Sequence, residues 1–381
     1  MLFWLALISL VCVTAAMVDL VRGNRSIRLL RDVRVALPAH FPRVSVVIAA
    51  RDEERHLEVA LDSMLAQDYP DYEVIVVDDR SGDATPAILA RKTACNERLR
   101  VVRIDELPAG WLGKNHALHR GAQNATGTIL VFADADVVIR PDTVTRAVAY
   151  ALAARCDHIA IAPEVIAPGL WLGMFVGTFT LLFSLYARPW KAPDPRSRCF
   201  IGIGAFNLVR AEVYRAVGGH ARIAMRPDDD LKLGKIIKRA GYSQEMLFGR
   251  GAASVEWYSS LGELKRGLEK NSLAGVDYNI AAIACATLAQ AAFFIWPFVA
   301  LGFTSGLTLA LNATLCGVLF AAYAQTARMI AAPRWYALGL PLMVAIFIWI
   351  LWRSTFMTLR NDGITWRGTH YALAALKANR V

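Results

Sequence analysis

Apolar positions along this chain form two kinds of run. Between residues 44 and 162 the runs are short, and segments with helical spacing lie between them. Val44–Ala50 (VSVVIAA) has the β-branched, continuous character of a buried strand. Arg55–Ala66 puts Leu57, Leu61, Met64 and Leu65 on one side of a helix. Glu73–Val77 (EVIVV) predicts a second strand, ending in Asp78-Asp79, and Ser81-Gly82-Asp83 opens a helix over Asp83–Ala94. Leu99–Ile104 predicts a third strand. Thr128–Ala133 (TILVFA) predicts a fourth, ending in Asp134-Ala135-Asp136, and Pro141 opens a helix running to about Ala154. Continuous apolar strands joined by helices predict an α/β fold with a parallel sheet covered on both faces. Ligands of such sheets collect at the carboxyl ends of the strands. Acidic residues stand at three of those ends: Asp52-Glu53-Glu54, Asp78-Asp79 and Asp134/Asp136. No GxGxxG follows the first strand, which disfavours a dinucleotide site.

The second kind of run is long and uncharged: Met1–Val18, Val165–Ala187, Tyr278–Ala327 and Trp335–Trp352. About 20 apolar residues cross a bilayer as a helix. Met1–Val18 lacks a basic leader and is followed by Arg22, Arg25, Arg28, Arg31 and Arg34, so it reads as a retained anchor with the next domain in the cytoplasm. Tyr278–Ala327 has room for two spans around the turn GFTSG (Gly302–Gly306), and Trp335–Trp352 makes a third. Three spans would place the basic tail, with Arg353, Arg360, Arg367, Lys377 and Arg380, on the outer side, against the positive-inside rule. One of the three is then re-entrant or interfacial, or the rule is broken. A single span at Val165–Ala187 would divide the intervening domain, so an interfacial helix is expected there.

Composition narrows the classes. The chain has 381 residues, 56% hydrophobic and 19% charged, with formal net charge +10. A disordered chain and a disulfide scaffold are excluded. The basic residues sit beside the hydrophobic runs, where anionic headgroups would meet them, so membrane contact and no nucleic acid is expected. Six cysteines include no CxxC pair, and neither a disulfide framework nor a zinc site is indicated.

Asp134 and Asp136 are hard oxygen ligands one residue apart, suited to Mg²⁺ or Mn²⁺; alternatively Asp134 caps a turn and Asp136 faces water. Asp78 and Asp79 leave strand-end carboxylates available to a base N–H. Lys114, in Gly113-Lys114-Asn115 before a helix starting near His116, is a phosphate ligand or a solvated lysine. Asp228-Asp229-Asp230 opens a helix over Asp230–Ala240; capping explains one carboxylate, and mutual repulsion can raise another toward a usable base. His116, His119, His158 and His220 lack ligand spacing and read as ordinary polar positions.

In order and spacing, VSVVIAARDEE (Val44–Glu54), ALDSMLAQDYPDYEVIVVDDRSGD (Ala60–Asp83), GKNHALHRGA (Gly113–Ala122), VFADADV (Val131–Val137), GAFNLVRAEVYRAVGGH (Gly204–His220) and PDDDLKLGKIIKRAGY (Pro227–Tyr242) resemble family 2 glycosyltransferases of the GT-A fold. With the apolar segments, the chain is similar to the ceramide glucosyltransferase group and its bacterial lipid-modifying relatives, and GITWRGTHY (Gly363–Tyr371) is similar to the Trp-Arg tail of that group. The resemblance implies a Rossmann-like GT-A domain with an N-terminal anchor and C-terminal transmembrane helices. Ala49, Arg51, Glu53, Asp78, Asp79, Lys114 and Lys270 would bind the donor. Asp134 and Asp136 would hold a divalent metal. Asp230 would be the general base, supported by Asp229, and Trp366 and Arg367 would lie near the site. Two positions depart from the family: Asp229-Asp230 replaces Glu-Asp, and Gly267-Leu268-Glu269-Lys270-Asn271 replaces QxxRW.

The expected division is 1–21 anchor, 22–43 basic linker, 44–275 GT-A domain with an interfacial helix at 165–187, 278–356 two to three transmembrane helices, and 357–381 basic tail. The expected activity is inverting transfer of one sugar from a nucleotide-sugar donor, UDP-linked, to a lipid hydroxyl at the cytoplasmic face of a bacterial inner membrane. A polysaccharide synthase subunit and a non-catalytic scaffold are the alternatives, and the loss of QxxRW counts against the first. The oligomeric state is left open.

Overall fold

The computed structural model describes residues 2–381. They form two compact units. One comprises Ile27–Ile166, Pro189–Glu256 and Thr365–Val381; the other takes Ala167–Arg188, Trp257–Ile364 and the N-terminal segment up to Ser26.

The first unit is built on strands β1 (Val44–Ala50), β2 (Tyr72–Asp79), β3 (Leu99–Ile104) and β4 (Ile129–Asp134). After the short β5 (Val138–Ile139) come β6 (His158–Ala162), β7 (Glu164–Ile166), β8 (Asn207–Arg210), β9 (Gln244–Phe248) and β10 (Ala253–Glu256). Seven of them make one sheet in the order β3-β2-β1-β4-β8-β6-β9. β1 runs parallel to β2 and β4, β2 to β3 and β6 to β9, while β8 is antiparallel to both neighbours. This is a GT-A arrangement: mixed α/β with a mostly parallel central sheet.

Side-chain alternation along the strands supplies both faces. Val46 and Ile48 of β1, Val74 and Val76 of β2, and Val131 of β4 meet Leu57, Leu61 and Val148 from helices on one side. Val47, Leu130 and Phe132 point the other way, to Leu118, Val213, Leu233 and Ile236. These strands therefore carry apolar side chains on both faces, as a doubly covered sheet requires.

The four strands marked by apolar patterning are β1 to β4. The three main-sheet strands beyond them carry polar residues that hide their pattern. His158 Nε2 lies 3.1 Å from Asn207 Oδ1, joining β6 to β8. Gln244 of β9 donates to the Gly234 carbonyl at 2.8 Å and accepts from the Ile201 N–H at 2.8 Å. Asn207 and Gln244 are thus satisfied by a side chain or by backbone, which limits their cost, while His158 Nδ1 has no partner.

The second unit is helical. Five helices are long and apolar enough to cross a membrane: Leu2–Ser26, Leu170–Lys191, Ile280–Ala300, Gly306–Met329 and Arg334–Arg360. The turn at GFTSG lies between the third and fourth, and a π-helical segment, Ala291–Ile295, interrupts the third ahead of Pro297. Within this unit the helix Leu261–Gly275 is tied to the last apolar helix by Arg353 Nε on Glu269 Oε1 at 2.7 Å.

Two histidines of the sheet unit are buried as neutral rings. Burial pushes His158 down to about 4, against its bond to Asn207, and burial with the Lys114 charge pushes His220 down to about 3. Unfolded, both protonate near 6.5. Below that pH the unfolded chain binds more protons, so this contribution is complete above 6.5 and is lost as pH falls toward 4. A gap of 2.5 units at His158 corresponds to about 3 kcal/mol. Thermal unfolding of detergent-purified protein should show a midpoint that drops over this range, and His158→Gln should flatten the drop. An unchanged acid slope in that variant would contradict the assignment.

Candidate active site

The parallel register brings the acidic strand ends to one edge. Ala49 pairs with Val77 on one side and with Asp134 on the other, and Ala50 pairs with Asp78. The loops after β1 and β2 are laced together: the Asp52, Glu53 and Glu54 N–H groups donate to the side chains of Ser81, Thr85 and Asp83. Asp52 returns a bond by accepting from the Gly82 N–H at 2.8 Å.

Lys114 joins the strand-end acids to the Asp triplet. Its Nζ lies 2.7 Å from Asp134 Oδ1 and 3.6 Å from Asp229 Oδ2. Burial would lower its pKa, but Asp134, Asp229 and Asp230 outweigh burial and raise it, so it is held as a cation. Asp230 accepts from the Gly204 N–H and from the Leu231 N–H, each at 2.8 Å. Burial, then the charge of Asp229, raises its pKa well above the carboxylate range, although Lys114 and the Leu231 bond oppose the shift. A carboxylate raised in this way is suited to accept a proton near neutral pH.

The triplet divides its roles by partner. Asp228 is gripped by the buried Arg226, with Nε to Oδ1 at 2.9 Å and Nη2 to Oδ2 at 3.1 Å, and Lys232 Nζ lies 3.4 Å away. It is a structural anion at the start of the helix Asp229–Arg239. Asp229 faces Lys114, and Asp230 is left with backbone donors.

Three glycines set this geometry. A Cβ on Gly202 would overlap the Asp230 carbonyl, and one on Gly234 would overlap the Ile201 carbonyl. A Cβ on Gly204 would stand 2.7 Å from Asp134 Oδ2. The segment Ile201–Gly204 therefore lies flush against both acid-bearing elements.

The carboxyl group of Asp136 is pushed up by burial, then by the charges of Asp134 and Glu53, with Lys114 opposing. Two hard oxygen donors, with Lys114 offsetting only part of the local negative charge, fit a divalent cation. Among the described residues no group of three or more His, Cys, Asp or Glu forms a complete ligand set. Such an ion would take its remaining ligands from water and phosphate oxygens.

Other sequence-predicted residues fall into place around this edge. Asp78 Oδ1 accepts from the Ser81 N–H at 3.2 Å, shaping the turn. Asp79 is held by Arg80, at 2.7 and 3.0 Å, with Arg51 Nη1 3.6 Å away. Arg367, at the tip of the hairpin β11 (Gly363–Trp366) and β12 (Thr369–Ala372), reaches Glu53 and the Asp52 carbonyl. Arg367 and Gly368 both have positive φ, 47° and 76°, as a two-residue hairpin turn of primed type needs. Trp366 is the strand residue just before that tip and is half-buried. Lys270 lies in the helix Leu261–Gly275 of the helical unit.

The Lys114 helix starts at Gly113, earlier than the expected His116. The reason is Asn115, whose Nδ2 donates to the carbonyls of Ile223, Ala224 and Arg226 at 2.8, 3.1 and 2.9 Å and so draws the GKN segment into the first turn. Asn115, Gly202 and Tyr371, whose hydroxyl accepts from the Gly113 N–H at 3.3 Å, were not singled out by sequence reasoning. The Gly202-x-Gly204 spacing was the available signal for Gly202; Asn115 and Tyr371 offered none.

Residues 45–218 match the model of glycosyl transferase family 2. The chain is 30% identical over 179 residues to a Staphylococcus aureus (strain MRSA252) protein named 4,4'-diaponeurosporenoate glycosyltransferase, covering 46% of each chain. It thus spans about half the length of the curated relatives it matches. Among solved structures, the mannosyltransferase PcManGT from Pyrobaculum calidifontis in complex with GDP-Man and Mn²⁺ aligns over 94% of this chain and 98% of its own, with TM-score 0.54 and 20% identity. That likeness is one of fold.

The glycine contacts separate stability from geometry. Gly202→Ala collides with main chain and should lower the unfolding midpoint, at a cost of about 1–3 kcal/mol for an overpacked site. Gly204→Ala meets a movable carboxylate, so it should leave the midpoint nearly unchanged. Equal destabilisation of the two variants in thermal melts would contradict this account.

Proposed function

Because this chain carries a family 2 glycosyltransferase domain, we propose that it transfers one sugar from a nucleotide-sugar donor, UDP-linked, to the hydroxyl of a membrane lipid, with inversion at the anomeric carbon. The observation that carries this reading is the bridge of Lys114 between Asp134 and Asp229, which puts the donor-side carboxylate and the proton-accepting helix around one cation. The relative named for glycosylating diaponeurosporenoate supports an apolar acceptor.

In this mechanism Asp230 takes the proton of the acceptor hydroxyl. The hydroxyl oxygen bonds to the anomeric carbon as the bond from that carbon to the diphosphate breaks, and the nucleoside diphosphate leaves. Asp229 keeps Lys114 beside Asp230, and Lys114 offers positive charge to the leaving phosphates. A divalent metal on Asp136 and Asp134 would supply further charge there. Ala49, Arg51, Glu53, Asp78 and Asp79 border the nucleotide in this reading, and Trp366 and Arg367 close the site beside Glu53.

Strand pairing supports one orientation. β6 precedes the helix Leu170–Ala187 and β8 follows it, yet they are hydrogen-bonded neighbours in one sheet. That helix therefore has both ends on one side and lies in the membrane interface. The tail bonds to the same sheet unit at Glu53 and Met225, so the chain between residues 257 and 364 crosses an even number of times. Arg328 and Arg334 favour a cytoplasmic loop between the last two apolar helices, which makes Ile280–Ala300 and Gly306–Met329 the crossing pair.

Four measurements bear on this reading. Asp230→Asn should cut turnover ~10²–10⁴-fold while donor binding persists, and lipid mass spectrometry of cells with and without the protein should show one hexose mass per acceptor. Near-normal turnover in Asp230→Asn would remove it as the base. The acid limb of the wild-type rate profile should lie above the ordinary carboxylate range, because protonated Asp230 cannot accept a proton and its pKa is raised. In a cysteine-free background, Phe303→Cys should react with an impermeant maleimide from outside the cell and Ala331→Cys only from the cytoplasm; the reverse pattern would overturn the orientation.

A further inference from the structure

The segment 365–381 attaches to the sheet unit at three separate places. Arg367 holds the loop after β1, Tyr371 meets the first turn of the Lys114 helix, and Asn379 meets the loop that leads into the Asp triplet. Between the last two runs a short helix, Leu373–Ala378, with Leu373 and Leu376 buried, and Val381 packs on the core that holds Leu233 and Ile236.

Asn379 is the most specific of these contacts. Its Oδ1 accepts from the Met225 N–H at 3.0 Å and its Nδ2 donates to the Arg222 carbonyl at 3.0 Å. A primary amide offers an acceptor and a donor on one planar group, which suits a backbone that presents one N–H and one C=O. The same loop is held from elsewhere by the three Asn115 bonds and by the Leu112 N–H on the Ala224 carbonyl at 2.9 Å. Directly after the loop, Arg226 clamps Asp228, and Asp229 and Asp230 follow in the next turn. The loop has little freedom that does not move the carboxylates.

We propose that Asn379 is a positioning residue: it fixes the Arg222–Arg226 loop, and through it the carboxylate of Asp230, so that the tail is a working part of the site. This rests on Asp230 being the proton acceptor. A displacement of about 1 Å in a reacting group can cost 10²-fold in rate, whereas the donor-side groups on β1, β2 and β4 do not depend on this loop.

The test is kinetic with a structural readout beside it. Asn379→Ala should lower kcat tenfold or more, leave the donor KM within twofold, and speed hydrogen exchange at the Met225 amide. Asn379→Asp, which keeps the size and the acceptor but loses the donor to Arg222, should lower kcat by a smaller factor and serves if the alanine variant does not fold. Arg380→Ala, an exposed neighbour, should match wild type. If Met225 exchange accelerates while kcat stays within twofold of wild type, the proposal is overturned. A proportionate rise in donor KM with unchanged kcat also overturns it. Failure of the parent reading is recognised separately, by wild-type turnover that survives Asp230→Asn.

Discussion

One half-buried ammonium organises the charge at the edge of this sheet. Lys114 lies 2.7 Å from Asp134 and 3.6 Å from Asp229. Without it, Asp134, Asp136, Asp229 and Asp230 would crowd negative charge into a partly desolvated edge, and a buried pair that loses one partner costs several kcal/mol. Lysine relieves part of this and leaves the rest: Asp136 and Asp230 both remain shifted toward the protonated form. That residue of uncompensated charge gives the site its chemistry. At Asp136 it suits a metal, and at Asp230 it suits a proton.

Holding this arrangement falls to short polar and small residues. The flush contacts of Gly202 and Gly234 press the acid-bearing helix against Ile201–Gly202. Asn115 spends its amide on three carbonyls of one loop. Each device serves backbone groups that would otherwise be buried without partners, a requirement that fixes loop conformation as firmly as apolar packing fixes the sheet. The loops after β1 and β2, which bond to each other through Ser81, Asp83 and Thr85, follow the same rule.

Chain connectivity ties the apolar helices to the sheet in sequence. β6 and β8 flank the apolar helix Leu170–Ala187 along the chain and are hydrogen-bonded neighbours in one sheet, whatever that helix's hydropathy. Hydropathy measures what a helix tolerates; strand pairing is what the proposed orientation argues from. The basic tail, which three candidate spans would carry to the far side, is bonded to residues of the sheet unit at Glu53 and Met225.

By itself the sequence determined the sheet strands β1 to β4, the acidic strand ends, the apolar helices and the resemblance to a transferase family. These are readable because periodicity and charge are local properties of a chain. The strands β6, β8 and β9 were not legible, since His158, Asn207 and Gln244 interrupt their apolar pattern, and the pairing of His158 with Asn207 and of Gln244 with Ile201 joins residues more than forty positions apart. Asp228, Asp229 and Asp230 are equivalent in sequence; Arg226, Lys114 and the Gly204 N–H make them different. Asn379 shows the same limit, for nothing around it signals a role until the fold sets its amide against Arg222 and Met225. Tertiary structure decided these points because the partner of a buried polar group is chosen by folding, and its distance along the chain carries no mark of that choice.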